Sequence, residues 1–210
     1  VCHMYADDND GFFCDTSAGH SGRWWKFPLE SYYEDPSLLI CPKAKKPYPP
    51  YGDGRIPFGA WATFTNENER LSHEGDFASY GPNGWLCNAK KEDIALGWWP
   101  RETENHWRKL DAKDPANVPM FLDCALHDGW PYQTDEPPAY DGDSFCEGLV
   151  DEMKRFCITR HGEFVNGVFM DGSVRKIGLK ELWRLKWHRN FDISANPPVW
   201  PEWMKGLKEY

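Results

Sequence analysis

The residues best suited to chemistry fall into three groups. The first is His161, followed after nine residues by Asp171 and Gly172, in RHGEFVNGVFMDGSV. A histidine and a carboxylate could serve there as an acid–base pair or as two metal ligands. The competing reading is structural. Asp-Gly is the strongest short hairpin signal, and turn chemistry alone accounts for it, leaving His161 to bond a neighbouring backbone group. The structural reading is favoured. Asp123, at the end of the apolar run VPMFLDC, is placed to orient His161.

The second group is Asp7, Asp8, Asn9 and Asp10, a dense set of oxygen donors of the kind calcium takes. Its order departs from the EF-hand loop, because Ala6 stands where the first acid should precede Gly11. A calcium site at Asp7, Asp8 and Asp10 therefore competes with a solvated turn that ends a helix, and the turn is favoured.

The third group is the seven cysteines, Cys2, Cys14, Cys41, Cys87, Cys124, Cys146 and Cys157. None form a CxxC pair, so zinc-ribbon, thioredoxin and c-type haem spacings are absent. The simplest account is an oxidising compartment with some disulfides. Cys41 and Cys87 both end apolar runs beside Gly/Pro loops, which makes them the expected pair. No GxSxG, HExxH or glycine-rich phosphate loop is present, and the remaining histidines lack ligand spacing. The expectation is a protein that is not an enzyme.

Short elements must position these groups. Residues 1–6 read as the end of a helix closed by Asp7 to Gly11. A short helix is expected around Leu29 to Tyr33, then a buried segment Leu38 to Cys41. Residues 103–112 suggest a helix capped by Thr103, and Val118 to Cys124 a buried strand. Residues 127–144 form a polar, Pro-rich loop. CEGLVDEMKRFC, residues 146–157, places Leu149, Val150, Met153, Phe156 and Cys157 on one helical stripe. Val165 to Ile177 is a hairpin about Asp171-Gly172, with Phe169 opposite Val174. Leu179 to His188 offers an amphipathic helix with Leu179, Leu182, Trp183 and Trp187 on one face.

The 210 residues suit one domain, and 40% hydrophobic with 27% charged is an ordinary globular composition. A formal charge of −9 and no basic stripe exclude nucleic acid as a natural partner. No run approaches the roughly 18 apolar residues of a membrane helix. Twelve Trp, twelve Phe and nine Tyr stand out. The favoured account is that they fill space in a loop-rich domain. The alternative is a secreted carbohydrate-binding module with exposed platforms at Trp24-Trp25 or Trp98-Trp99.

Several segments stand in a telling order: HMYADDNDGFF, Cys41-Pro42, SYGPNGWL, PMFLDC, the His161 to Gly172 motif and LWRLKWH. Together they resemble the bacterial pseudopilin-like proteins with a prepilin-type His-X9-Asp-Gly C-terminal domain, related to type II secretion pseudopilins and type IV pilins. The resemblance spans nearly the whole chain. It implies an α+β, pilin-like head, residues 1–210, with a small antiparallel sheet, short helices, many loops and the motif hairpin at 161–178. It further implies a structural subunit of an extracellular or cell-surface filament whose partners are copies of itself. Membrane contact would come only through an apolar helix upstream of Val1. The chain departs from the family at Ser173, where a histidine often follows the Asp-Gly.

Overall fold

Frequent Pro and Gly cut this sequence into pieces too short for long helices, and large rings must then do the packing. The computed structural model describes residues 1–14, 25–44, 46–47, 57–62, 77–89, 101–144 and 150–210. Two α-helices appear among them, α1 (Cys2–Asp8) and α2 (Lys26–Leu29), together with short 3-10 turns. The strands are β1 (Lys46–Pro47), β2 (Gly59–Ala62), β3 (Phe77–Ala78), β4 (Tyr80–Pro82), β5 (Pro119–Asp123), β6 (Phe164–Phe169) and β7 (Val174–Gly178). They form a small sheet ordered β1-β2-β3 and a four-stranded sheet ordered β4-β5-β6-β7. The larger sheet is antiparallel throughout, whereas β1 runs parallel to β2. The chain is thus mixed helix and sheet, as α+β requires.

Helix α1 ends where its sequence says it should. Asn9 and Gly11 both donate backbone N–H bonds to Ala6 O, and Gly11 takes φ 79°. The strand at 118–124 is present as β5, apolar on both faces because it lies inside the sheet. In β6 the burial alternates, with Val165, Gly167 and Phe169 turned to the core.

The hairpin forms, but its register differs from the expected one. Val168, not Phe169, lies opposite Val174. Gly172 N–H donates to Phe169 O and Phe169 N–H to Ser173 O, both at 2.9 Å. The loop is therefore three residues, Met170 to Gly172, with Gly172 at φ 83° making a glycine bulge. The shift by one keeps Phe169 buried while Val174 faces outward.

Three expected helices are shorter than their patterns. At 179–188 only Lys180–Arg184 coils, as a 3-10 turn. The Trp187 indole takes Leu182 O at 2.7 Å, and Lys186 N–H goes to Asn117 O at 2.9 Å, so the α-helical 182–186 bond cannot form. Leu179, Leu182, Trp183 and Trp187 are nonetheless all buried, as their spacing foretold. At 103–112, Thr103 is inside a 3-10 turn, Thr103–Asn105, rather than capping a helix. Trp107 N–H bonds Trp85 O, and Arg108 sits at φ 63°. Of residues 146–157, positions 146–149 lie outside the described residues. Glu152–Arg155 is a 3-10 turn preceded by Asp151 at φ 58°. Met153, Phe156 and Cys157 are buried, but Val150 is exposed. Leu38 is exposed too, because Pro36–Leu39 is a 3-10 turn that turns it outward.

The described tryptophans carry the interior. Trp25, Trp61, Trp85, Trp107, Trp183 and Trp187 are buried, and Trp130, Trp200 and Trp203 are partly so. Six indoles donate to backbone carbonyls of irregular segments: Trp25 to His127, Trp85 to Pro131, Trp107 to Trp187, Trp183 to Asp135, Trp187 to Leu182 and Trp203 to Pro138. Each ring thus fills space and also satisfies a loop carbonyl that has no ladder partner. The Pro-rich segment 127–144 is correspondingly internal in part. Asp128 and Asp135 are both buried there.

Candidate functional site

The best-built polar site lies at the end of β5, where four separated segments meet. Ser37 N–H bonds Asp35 Oδ1 at 2.8 Å and starts a 3-10 turn, after which the chain runs extended into Cys41. Ser79, between β3 and β4, pins that segment from both sides. Its N–H donates to Leu39 O, and its hydroxyl oxygen accepts the Cys41 N–H at 2.6 Å. Tyr80 opens β4 directly opposite Asp123 in β5. His161 stands in the turn before β6, where Gly162 takes φ 79°.

Asp123 and Arg160 are fully buried. Arg160 Nη1 donates to Asp123 Oδ1 at 3.1 Å. Its other bonds go to the carbonyls of Pro57, Gly59, Ser79 and Cys124. These contacts tie the start of β2 to the end of β5, and the buried charge is compensated as low dielectric demands. The second Asp123 oxygen, Oδ2, accepts Asn166 N–H at 2.8 Å and lies 3.3 Å from His161 Nε2. Cys41 Sγ lies 3.3 Å from the same nitrogen. Burial, with Cys41 and Asp123 nearby, holds the Tyr80 phenol well above its usual range.

Asp123 Oδ2 thus lies beside His161 Nε2, where a carboxylate that orients the ring would stand. Asp171 is not its partner. Asp171 Oδ1 accepts the N–H of Ser173 at 2.9 Å and its hydroxyl at 2.6 Å, and these bonds hold the carboxyl below its ordinary range. Asp171 and Gly172 are turn residues. The Cys41–Cys87 bridge is not formed, because Cys41 is a thiol directed at His161. Asp7 and Asp8 lie in the last turn of α1, and Asp10 follows its Asn9 cap. Asp8 accepts the Tyr32 hydroxyl at 3.0 Å, and Lys109 Nζ sits 3.1 Å from Asp10 O. Among the described residues the one cluster of three metal-ligating side chains is Cys41, Asp123 and His161, with ligand atoms within 4.8 Å of one another. Of the aromatic platforms, Trp25 is buried, and Trp24, Trp98 and Trp99 lie outside the described residues.

A cysteine–histidine–carboxylate nucleophile uses both ring nitrogens, one for sulfur and one for the acid. Here both neighbours close on Nε2, so the cluster lacks that geometry. It can share a proton or hold a cation. Sequence reasoning missed Cys41, Tyr80 and Arg160 as members. The signal was present, since Cys41-Pro42, Ser79-Tyr80, Asp123-Cys124 and Arg160-His161 all belong to the segments noted above. No family model, curated protein or solved structure matches the chain. Among the described residues, no helix is long and apolar enough to cross a membrane.

Proposed function

We propose that this chain is the globular head of a pilin-like subunit, outside the cell or on its surface, which acts by packing against copies of itself in a filament. The reading assigns it no catalytic role. The observation that carries it is an apolar groove of about 530 Å³ where α1 meets the larger sheet. Val1, Leu38, Val168 and Val174 line this groove, at 45%, 63%, 36% and 69% exposure. Apolar side chains left so open beside one another are a packing surface. Because Val1 and the first residues of α1, Cys2 and His3, line the groove, a second copy is the occupant that suits it. Subunits of the family this chain resembles pack through the helix that would continue α1 upstream.

The first segment of the resemblance and the His161 to Gly172 motif also meet here. His3 Nε2 stands 4.0 Å from where a Cβ on Gly172 would lie. The charge of −9 leaves nucleic acid a poor partner.

The test is expression of the whole coding sequence, including everything upstream of Val1, with electron microscopy of the cell surface. The expected result is a basic leader, about 20 apolar residues and filaments that Val174→Asp abolishes. An ordinary cleavable signal peptide directly before Val1, with a monomeric product, would overturn the reading.

A further inference from the structure

We infer that Cys41, Asp123 and His161 form a binding site for a single transition-metal ion of the zinc class. The inference is independent of filament assembly and begins from three ligand atoms, from three separate segments, that lie within 4.8 Å of one another. Cys41 Sγ and Asp123 Oδ2 each lie 3.3 Å from His161 Nε2. That nitrogen carries at most one hydrogen and cannot serve both along good lines. A cation between the three atoms serves all of them.

The spacing suits that occupant. Zn–S bonds of about 2.3 Å and Zn–N or Zn–O bonds of about 2.0 Å give tetrahedral edges of roughly 3.3–3.6 Å. The observed Oδ2–Nε2 separation matches its edge, and the Sγ–Nε2 separation is about 0.2 Å shorter than a sulfur–nitrogen edge. One thiolate, one imidazole and one carboxylate match a borderline-soft divalent ion and exclude magnesium or calcium, which take oxygen ligands. A thiolate and a carboxylate offset the ion's two charges, and the Arg160 guanidinium beside Asp123 leaves one net positive charge in the cluster. Binding releases the Cys41 proton to solvent.

The surroundings are those of a built site. Cys41 and Asp123 are buried, whereas the His161 side chain keeps 20% exposure, leaving the ion a route in from solvent. Arg160 occupies Asp123 Oδ1 and four carbonyls, so it fixes the carboxylate while leaving Oδ2 to the ion. Asn166 N–H on Asp123 Oδ2 and the Ser79 hydroxyl oxygen on the Cys41 N–H supply outer contacts of the kind that hold metal ligands in place. Three protein ligands leave a fourth position for water.

The experiment titrates the purified, reduced chain with Co²⁺ and then displaces it with Zn²⁺. Expected are the sulfur-to-cobalt charge-transfer band and the visible bands of a tetrahedral ion, saturating at one equivalent. His161 is the most exposed ligand, so His161→Ala keeps the fold by circular dichroism. It should weaken Zn²⁺ binding by more than the roughly 10–100-fold that an outer contact is worth. Cys41→Ser should remove the charge-transfer band, and Cys124→Ser should keep it. A folded wild-type chain without the thiolate band would overturn the assignment. So would Zn²⁺ binding that survives both His161→Ala and Cys41→Ser.

Discussion

Arg160 and Asp123 form an ion pair from which water is wholly excluded, with Nη1 and Oδ1 3.1 Å apart and neither side chain exposed. Removing one partner of such a pair strands a buried charge at a cost of about 3–5 kcal/mol. Asp123→Ala and Arg160→Met are each expected to lose that much in urea denaturation. Asp123→Leu combined with Arg160→Met should recover part of the loss, because no charge is then left alone. A double variant no more stable than the worse single one would show that the four carbonyls on Arg160 matter more than the charge.

The motif glycine should matter for its backbone and the motif aspartate for its turn. Gly172 holds φ 83°, and a Cβ there would meet His3 Nε2 at an ordinary contact distance of 4.0 Å, so Gly172→Ala costs conformational strain, about 1 kcal/mol. Asp171→Asn keeps an acceptor for Ser173 and should change thermal stability by less than about 0.5 kcal/mol. A metal-dependent loss in Asp171→Asn would restore Asp171 to the chemistry.

Burial pushes His106 and His188 down to about 4, with Arg108 and Arg101 adding to it at His106 and Lys186 at His188. Neither ring nitrogen of His188 has a hydrogen-bond partner among the described residues, and the ring packs against Trp85, Tyr132 and Phe191. A lowered folded value means the unfolded chain binds more protons between pH 6.5 and 4. Stability contributed by each neutral ring is therefore lost as pH falls through that window. Asp128 and Asp135, pushed up to about 7 by burial, act in the opposite direction as pH falls from 7. Comparing wild type with His188→Phe isolates the histidine. Relative to their difference at pH 8, the variant should gain about 2 kcal/mol at pH 5. Parallel stability curves would refute the burial effect.

Two close glycine contacts should respond differently to a methyl group. A Cβ on Gly84 would lie 2.2 Å from Trp130 Cε2. That ring cannot retreat easily, with Arg101 Cζ 4.4 Å from its centroid and the Trp130 backbone N–H tied to Glu152 Oε2. Gly84→Ala should cost about 1–3 kcal/mol. At Gly178 the Cβ would meet the Tyr210 ring, a terminal side chain that is 45% exposed and can swing aside. Gly178→Ala should cost less than about 0.5 kcal/mol.

Much of the local structure was legible where a segment's own residues decide it. Gly11 closes α1, the apolar run at 118–124 is β5, and Asp171-Gly172 turns a hairpin. Legibility stopped where distant groups compete for the backbone. The spacing of Leu179, Leu182, Trp183 and Trp187 named the buried face, but Asn117 O and the Trp187 indole decided that no α-helix would form. The site shows the same limit. The Asp123–His161 contact followed from a carboxylate at a strand end. Cys41 reaches His161 across 120 positions of chain, and no local pattern announces that. Its place beside a Gly/Pro loop suggested a disulfide instead.

The Arg160 clamp also sets an order of events at the ribosome. Its carbonyl partners at Pro57 and Gly59 precede it by 103 and 101 positions. At about 5–20 residues per second, roughly 5–20 s separate the synthesis of those carbonyls from that of their donor. Among the described residues, Arg160 is the side chain that bonds the Pro57 and Gly59 carbonyls, so those bonds at the start of β2 form only after position 160 has been made. A chain that stops before position 160 lacks this tie between β2 and β5.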